Sequence, residues 1–249
     1  DGIPYELYKT FWDLMKIELL ELINFMFQKG LGNLQKLGIV VFIQKNKYAK
    51  QIRDFRPITL LCSDYKILAK ILANRLKIIL PQILSDTQIL INPNTNAADH
   101  LCFIRDLIHY SNKKRFRSHA IINIDFQSAF DLISHKYLFK TLRHFGFSGI
   151  FLTCLKDLYD NANTRLTING FIGQNIPIIR SVRQGCPLSM LLYAIALEPL
   201  LLQIRANITG IQILNKTIKS SNYADDASVF VSSNTDVQNT TDSLTLFEQ

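Results

Sequence analysis

Ser220-Ser221-Asn222-Tyr223-Ala224-Asp225-Asp226-Ala227-Ser228-Val229-Phe230-Val231 sets two acidic residues side by side in a stretch otherwise made of small, polar and apolar residues. Ile211-Gln212-Ile213-Leu214 and Thr217-Ile218 before it look extended, and Ala227–Val231 alternates small or polar with apolar residues. The pattern predicts a β-hairpin with two carboxylates at its tip. Like charges at a turn between half-buried strands repel, so the arrangement is costly unless a cation fills it. Taken alone, an Asp-Asp pair is more often a solvated turn, because Asp is a common turn residue. The rest of the chain decides between these readings.

Upstream, Arg183-Gln184-Gly185-Cys186-Pro187-Leu188-Ser189 opens a long apolar helix to about Asn207, and proline near a helix start is expected. Glu198 and Pro199 interrupt its most apolar run, so no transmembrane span is predicted. Asn169-Gly170 between alternating residues from Thr164 to Ile172 is the clearest hairpin signal in the chain, and Ile176 to Arg180 reads as a third strand. Helices are expected over about Ser134–Phe145 and Ser148–Tyr159, and helical spacing returns from Thr235 to Gln249. Ala120-Ile121-Ile122-Asn123-Ile124-Asp125 is a near-continuous apolar run ending in an acid. That is the pattern of a fully buried strand holding a carboxylate at its C-terminal end.

Toward the N-terminus, Pro4 to Phe27 predicts one amphipathic helix, ended near Gly30 and Gly32. Strands at Gly38–Ile43 and Arg56–Leu61 flank a polar, basic loop from Gln44 to Lys50. Ser63 is placed to cap a helix from Asp64 to about Leu80, stopped by Pro81. Asp86 to Asn96 reads as a loop and Ala97 to about Ser111 as a helix. The basic strip from Lys45 to Lys77 fits either a solvated face or a surface that meets phosphates. Arg53 and Arg56 flank Phe55, and arginine grips phosphate oxygens through paired donors. Lys66, Lys70 and the run Lys113-Lys114-Arg115-Phe116-Arg117 add to the basic character.

The bulk properties agree with a polyanionic partner. Lys plus Arg number 28 against 20 Asp plus Glu, a formal net charge of +8. At 249 residues and 48% hydrophobic content, the chain can bury a sizeable core as one large domain or two small ones. Cys62, Cys102, Cys154 and Cys186 form no C-x-x-C, which argues against a zinc site or disulfide framework and for a reducing compartment. His100, His109, His119, His135 and His144 show no metal-ligand spacing.

Read together, three stretches resemble the polymerase motifs of reverse transcriptases. They are Asp125-Phe126-Gln127-Ser128-Ala129-Phe130-Asp131, Arg183-Gln184-Gly185-Cys186-Pro187-Leu188-Ser189 and Tyr223-Ala224-Asp225-Asp226, in the family's order and spacing. Asp54–Leu61 with Tyr65–Lys70 resembles the fingers region, and Asp1–Tyr8 the segment before it. The combination is similar to LINE-type (non-LTR) retrotransposons. The resemblance implies an α+β right-hand polymerase fold: fingers with an N-terminal extension over residues 1–118, and a palm over 119–249 built on an antiparallel sheet with packed helices. The chain reads as a fragment, with the thumb expected after Gln249. Five positions depart from the family's usual residues: Asn94 and Thr95 stand for Gly and Arg, Ser181 for Gly, Met190 for Pro and Ser128 for Lys.

The implied activity is RNA-directed DNA polymerisation by two-metal nucleotidyl transfer. Asp125, Asp225 and Asp226 are the implied catalytic and metal-binding residues, with Asp125 and Asp225 as the shared ligands and Asp226 in support. The ions are two Mg2+, with Mn2+ as a substitute, about 3.5–4 Å apart. Phe130 is assigned beneath the incoming sugar, Gln184 and Gly185 along the nucleotide, and Arg56 and Lys45 at its triphosphate. Arg53, Lys66, Lys70, Arg183 and Tyr223 are assigned to nucleic acid. The partners are an RNA template, a DNA primer or target and deoxynucleotides, with no membrane. The implied location is intracellular, nuclear with a cytoplasmic ribonucleoprotein stage. A catalytically silent nucleic-acid-binding remnant and a group II intron-like maturase remain as alternatives.

Overall fold

The computed structural model describes residues 3–89, 95–113 and 119–247. Helices α1 (Tyr5–Thr10), α2 (Trp12–Lys29) and α3 (Asn33–Lys36) lead to strands β1 (Leu37–Gln44) and β2 (Phe55–Leu60), then to helices α4 (Ser63–Ile83) and α5 (Ala97–Lys113). Strand β3 (Ala120–Asp125) precedes helices α6 (Ala129–Leu132), α7 (His135–His144) and α8 (Gly149–Tyr159) and strands β4 (Asn163–Ile168), β5 (Phe171–Ile172) and β6 (Ile176–Pro177). The chain continues through helix α9 (Ser189–Asn207), strands β7 (Ile211–Ile213), β8 (Lys216–Ile218), β9 (Ser220–Tyr223) and β10 (Asp226–Val231), and helix α10 (Asn234–Phe247). It divides into two compact units, one of residues 1–76 with 130–192, the other of residues 77–129 with 193–249. Each therefore takes residues from both sides of position 118.

The first unit is built on a sheet of order β2-β1-β4-β5, with β6 also paired to β4. Strands β1 and β2 run antiparallel, and β1 and β4 parallel. Lys36 ties the N-terminal segment to α8 through an ion pair with Asp157 (2.6 Å), whose other oxygen accepts the Leu31 N–H. The expected single N-terminal helix is broken at Phe11, where φ −103° and ψ 24° leave the helical range. Of α2's many apolar side chains only Ile23 and Met26 are buried, while Trp12, Leu14, Ile17, Leu20 and Phe25 are exposed. The apolar positions surround the helix, so one packing face cannot take them all.

Helix α4 shows a regular stripe: Tyr65, Leu68, Leu72, Leu76 and Leu80 recur every three or four residues and are fully buried. Two expectations for this helix need correction. Ser63 lies inside it, its hydroxyl donating to the Ile3 carbonyl. Pro81 does not stop it either, because in the last turn a missing N–H costs only one bond, and the Leu84 N–H still reaches the Leu80 carbonyl (2.9 Å).

The second unit holds the sheet β3-β10-β9 and the separate hairpin β7-β8. Leu107, Ile211 and Phe230 form its buried cluster, with Phe103, Ile104, Ile121, Ile213 and Ile218 packed against them. The strand that partners β10 is β9, not the Ile211–Ile218 stretch, which pairs with itself. The expected burial of the two strands is also exchanged. β3 holds only exposed and half-buried residues because it is an edge strand, whereas central β10 is buried from Ala227 to Val231. The expected strand at Ile176–Arg180 shrinks to Ile176–Pro177. Helix α9 is long and apolar enough to cross a membrane, but most of it is buried in the protein, as in a core helix. Asp236, in the first turn of α10, is buried, which alone would raise its pKa. N–H groups of Thr209, Ser232 and Gly210 outweigh that and hold the carboxyl below its usual range.

Candidate active site

Strand β3 delivers Asp125 at its last position, and β10 begins at Asp226. The two strands are antiparallel, and Asp125 and Asp226 face each other in register. Such facing residues have Cβ atoms about 4.5–5.5 Å apart, so two carboxylates occupy one end of the sheet. Asp225 immediately precedes Asp226, in the turn that follows Tyr223. Asp125 and Asp226 are exposed and Asp225 is half-buried. Among the described residues none of the three makes an ion pair. Asp225 acts on its surroundings: burial first, and this negative charge second, push the Tyr193 phenol well above its ordinary value.

The turn that positions these groups is strained. Ala224 has φ +56°, a region that residues with a Cβ rarely enter. Behind it, His100 donates to or accepts from the Ser221 hydroxyl (2.9 Å), and its ring stacks on Tyr223 at 6.4 Å. Burial lowers the His100 pKa, and Asp226 opposes the shift. His100 is thus a satisfied buried histidine.

The assigned nucleotide residues lie in the first unit. Phe130, Gln184 and Gly185 come together there. The Val182 N–H donates to the Phe130 carbonyl (2.8 Å), and Gln184 Nε2 donates to the carboxylate of Asp131 (3.3 Å). Burial raises the Asp131 pKa, and this bond partly offsets the rise. The Gln184 carbonyl accepts the Thr59 N–H (2.9 Å), which fastens this loop to β2. Gly185 has φ +105°, and a Cβ there would lie 2.5 Å from the Thr59 carbonyl oxygen. Its close backbone approach is therefore to β2. Arg56 stands exposed on β2, opposite Ile43. Lys45 is exposed too, but its Nζ donates to the Arg53 carbonyl (2.9 Å). Arg53, Lys66 and Lys70 have exposed side chains.

Arg183 is a correction to the nucleic-acid assignment. It is 1% exposed, its Nη2 donates to the Lys36 carbonyl (2.6 Å), and its guanidinium lies 5.5 Å from the Tyr65 ring centroid. A buried guanidinium used this way is a core fastener and cannot reach a phosphate in solvent. Tyr223 is half-buried against His100. Ser181, where the family usually carries Gly, has φ +97°. Asn92–Asn94 and Lys114–Arg117 lie outside the described residues.

Among the described residues, no three His, Cys, Asp or Glu side chains form a ready-made metal cage. Mg2+ does not need one: it keeps several waters and takes one or two carboxylates together with substrate phosphates. Two facing carboxylates beside a third fit that donor set.

Residues 43–247 match the family model described as Reverse transcriptase (RNA-dependent DNA polymerase). The chain belongs to the reverse transcriptase family. Its reverse transcriptase sequence is 33% identical over 229 residues to the Xenopus laevis "Transposon TX1 uncharacterized 149 kDa protein", covering 91% of this chain and 17% of that one. It is 32% identical over 202 residues to the Drosophila melanogaster "Retrovirus-related Pol polyprotein from type-2 retrotransposable element R2DM", covering 80% and 19%. The chain thus spans less than a fifth of either relative, and both agree with the LINE-type resemblance. Among solved structures, apo telomerase from Candida tropicalis superposes with a TM-score of 0.57 at 13% identity, over 93% of this chain and 45% of that one. Telomerase from Candida albicans, bound to a fragment of telomeric RNA, gives 0.57 at 11%, over 84% and 38%. At such identities the likeness is one of fold, the right-hand polymerase fold.

Proposed function

We propose that this reverse transcriptase domain copies retrotransposon RNA into DNA, with Asp125, Asp225 and Asp226 as its catalytic carboxylates. The observation that carries the reading is the register of Asp125 on Asp226 at the end of β3 and β10, with Asp225 in the adjoining turn. The three acids would hold Mg2+, with Mn2+ as a substitute. Divalent ions at such a site stabilise charge on the attacking and leaving oxygens of nucleotidyl transfer. Exposed Arg56 and Lys45 supply donors for a triphosphate, Phe130 supplies the ring that excludes a 2′-hydroxyl, and Gln184 and Gly185 border the nucleotide. Arg53, Lys66 and Lys70 neutralise backbone phosphates, so RNA binding weakens steeply with salt. In this reading residues 1–118 act as fingers with their N-terminal extension and 119–249 as palm. The partners are an RNA template, a DNA primer or target and deoxynucleotides. The setting is intracellular: nuclear, with a cytoplasmic ribonucleoprotein stage.

The test is primer extension on an RNA template. Asp125→Asn and Asp226→Asn each remove extension while leaving the melting temperature and RNA binding near wild type; wild-type-like extension by either variant overturns the reading. Phe130→Val raises ribonucleotide use relative to deoxyribonucleotide use, and an unchanged ratio returns Phe130 to a packing role. One observation favours the second reading, a catalytically silent RNA-binding remnant. Ser181 occupies a backbone conformation suited to Gly, as a drifting copy would leave it. Salt-sensitive RNA binding without any extension supports that reading.

A further inference from the structure

Strand β9 leads into the acidic turn, and a short segment runs along its outer edge. The Asn222 N–H donates to the Thr87 carbonyl (2.8 Å), Asn222 Nδ2 reaches Thr87 Oγ1 (3.3 Å), and Gln88 and Asn222 form a parallel bridge. This segment is held from behind by Glu198, which is completely buried in α9. One Glu198 oxygen accepts the Ser85 N–H (3.0 Å). The other accepts the Ser85 hydroxyl (3.4 Å) and a short hydrogen bond from Gln88 Nε2. Gln88 Nε2 also donates to the Ala194 carbonyl (3.0 Å), so one amide ties the segment to α9 twice.

A carboxylate inside an apolar helix is expensive to bury unless its lone pairs are filled. An apolar residue would pack α9 at least as well, but would leave Ser85, Thr87 and Gln88 without a fixed place. The carboxylate instead collects three donors from one stretch of four residues. Asn222 faces Ala227 on β10 and immediately precedes Tyr223, so its position sets where the chain enters the Ala224-Asp225 turn.

We propose that Glu198 and Gln88 are positioning residues for the polymerase chemistry. Acting through Thr87 and Asn222, they hold the strained turn so that Asp226 stands in register with Asp125 and Asp225 keeps its place in the adjoining turn. The proposal rests on the reading of those three acids as the catalytic carboxylates.

The test uses the 249-residue chain and two readouts. One is hydrogen exchange of the amides from 220 to 226; the other is Mn2+ affinity. Gln88→Met keeps the side-chain length and removes both donors, and Ser85→Ala is the milder lesion should Gln88→Met fail to fold. Asp236→Asn, which weakens the unrelated clamp at α10, is the control compared at equal loss of melting temperature. The expected result is faster exchange at 220–226 and Mn2+ affinity lowered about tenfold in the Gln88 and Ser85 variants, with neither change in the control. Unchanged exchange and affinity in those variants, or equal changes in Asp236→Asn, overturn the proposal. Asp225→Asn separates it from the reading beneath it. If that variant binds Mn2+ as wild type does, the carboxylate assignment fails, while the exchange result still reports whether the clamp holds the turn.

Discussion

Two tight hairpins in this chain have the same length and opposite characters. Between β4 and β5 the turn is Asn169-Gly170, with φ of +51° and +83°, on an exposed tip. Both residues tolerate positive φ, as the hairpin turn matching strand twist requires. Between β9 and β10 the turn is Ala224-Asp225, with Ala224 at +56° and the tip half-buried. Alanine there costs about 1–3 kcal/mol, and such strain persists where surrounding structure over-determines it. The first turn uses residues suited to its geometry and has no candidate chemistry. The second puts an alanine where φ is positive, and it presents the carboxylates. Residue choice at the second turn answers to charge placement before it answers to stability.

The sharpest way to break this comparison is to exchange the turns. Replacing Ala224-Asp225 by Asn-Gly should lower primer extension by orders of magnitude while raising stability by about 1 kcal/mol in urea unfolding. Extension near wild type would show that the strained turn has no bearing on chemistry. The converse exchange, Asn169-Gly170 to Ala-Asp, should lower stability by about 1–3 kcal/mol and leave extension per folded molecule unchanged. Lost activity at retained fold would give that tip a role the comparison denies it. The smallest effect is expected at Ser181, at φ +97°. Ser181→Gly should raise stability by about 1 kcal/mol, read as a higher urea midpoint with an unchanged slope. A lower midpoint would mean that the Ser181 side chain contributes more than its backbone strain costs.

The parts of this molecule legible in the sequence are those decided by near neighbours. Asn169-Gly170 announces its hairpin, the stripe from Tyr65 to Leu80 announces α4, and an acid after an apolar run places Asp125 at the end of a strand. Partners far along the chain decided the rest. Arg183 looks like a phosphate ligand until the carbonyl it holds, that of Lys36, is found 147 positions away. That Asp226 is the residue paired with Asp125 follows from strand register, which a one-residue slip would change. Central β10 and edge β3 differ in burial by sheet position, which their own residues do not encode. Glu198 reads as an interruption of an apolar helix because its donors come from Ser85 and Gln88, more than a hundred positions upstream.

Trp12 is the sole tryptophan of the chain, and it stands half-exposed on α2. The intrinsic indole fluorescence of the protein is therefore the emission of one helix. Whatever covers the apolar side chains around Trp12 should shift that emission to the blue. Events confined to the acidic turn, in the other compact unit, should leave it unmoved. The chain thus carries its own optical probe for α2, independent of any assay of its chemistry.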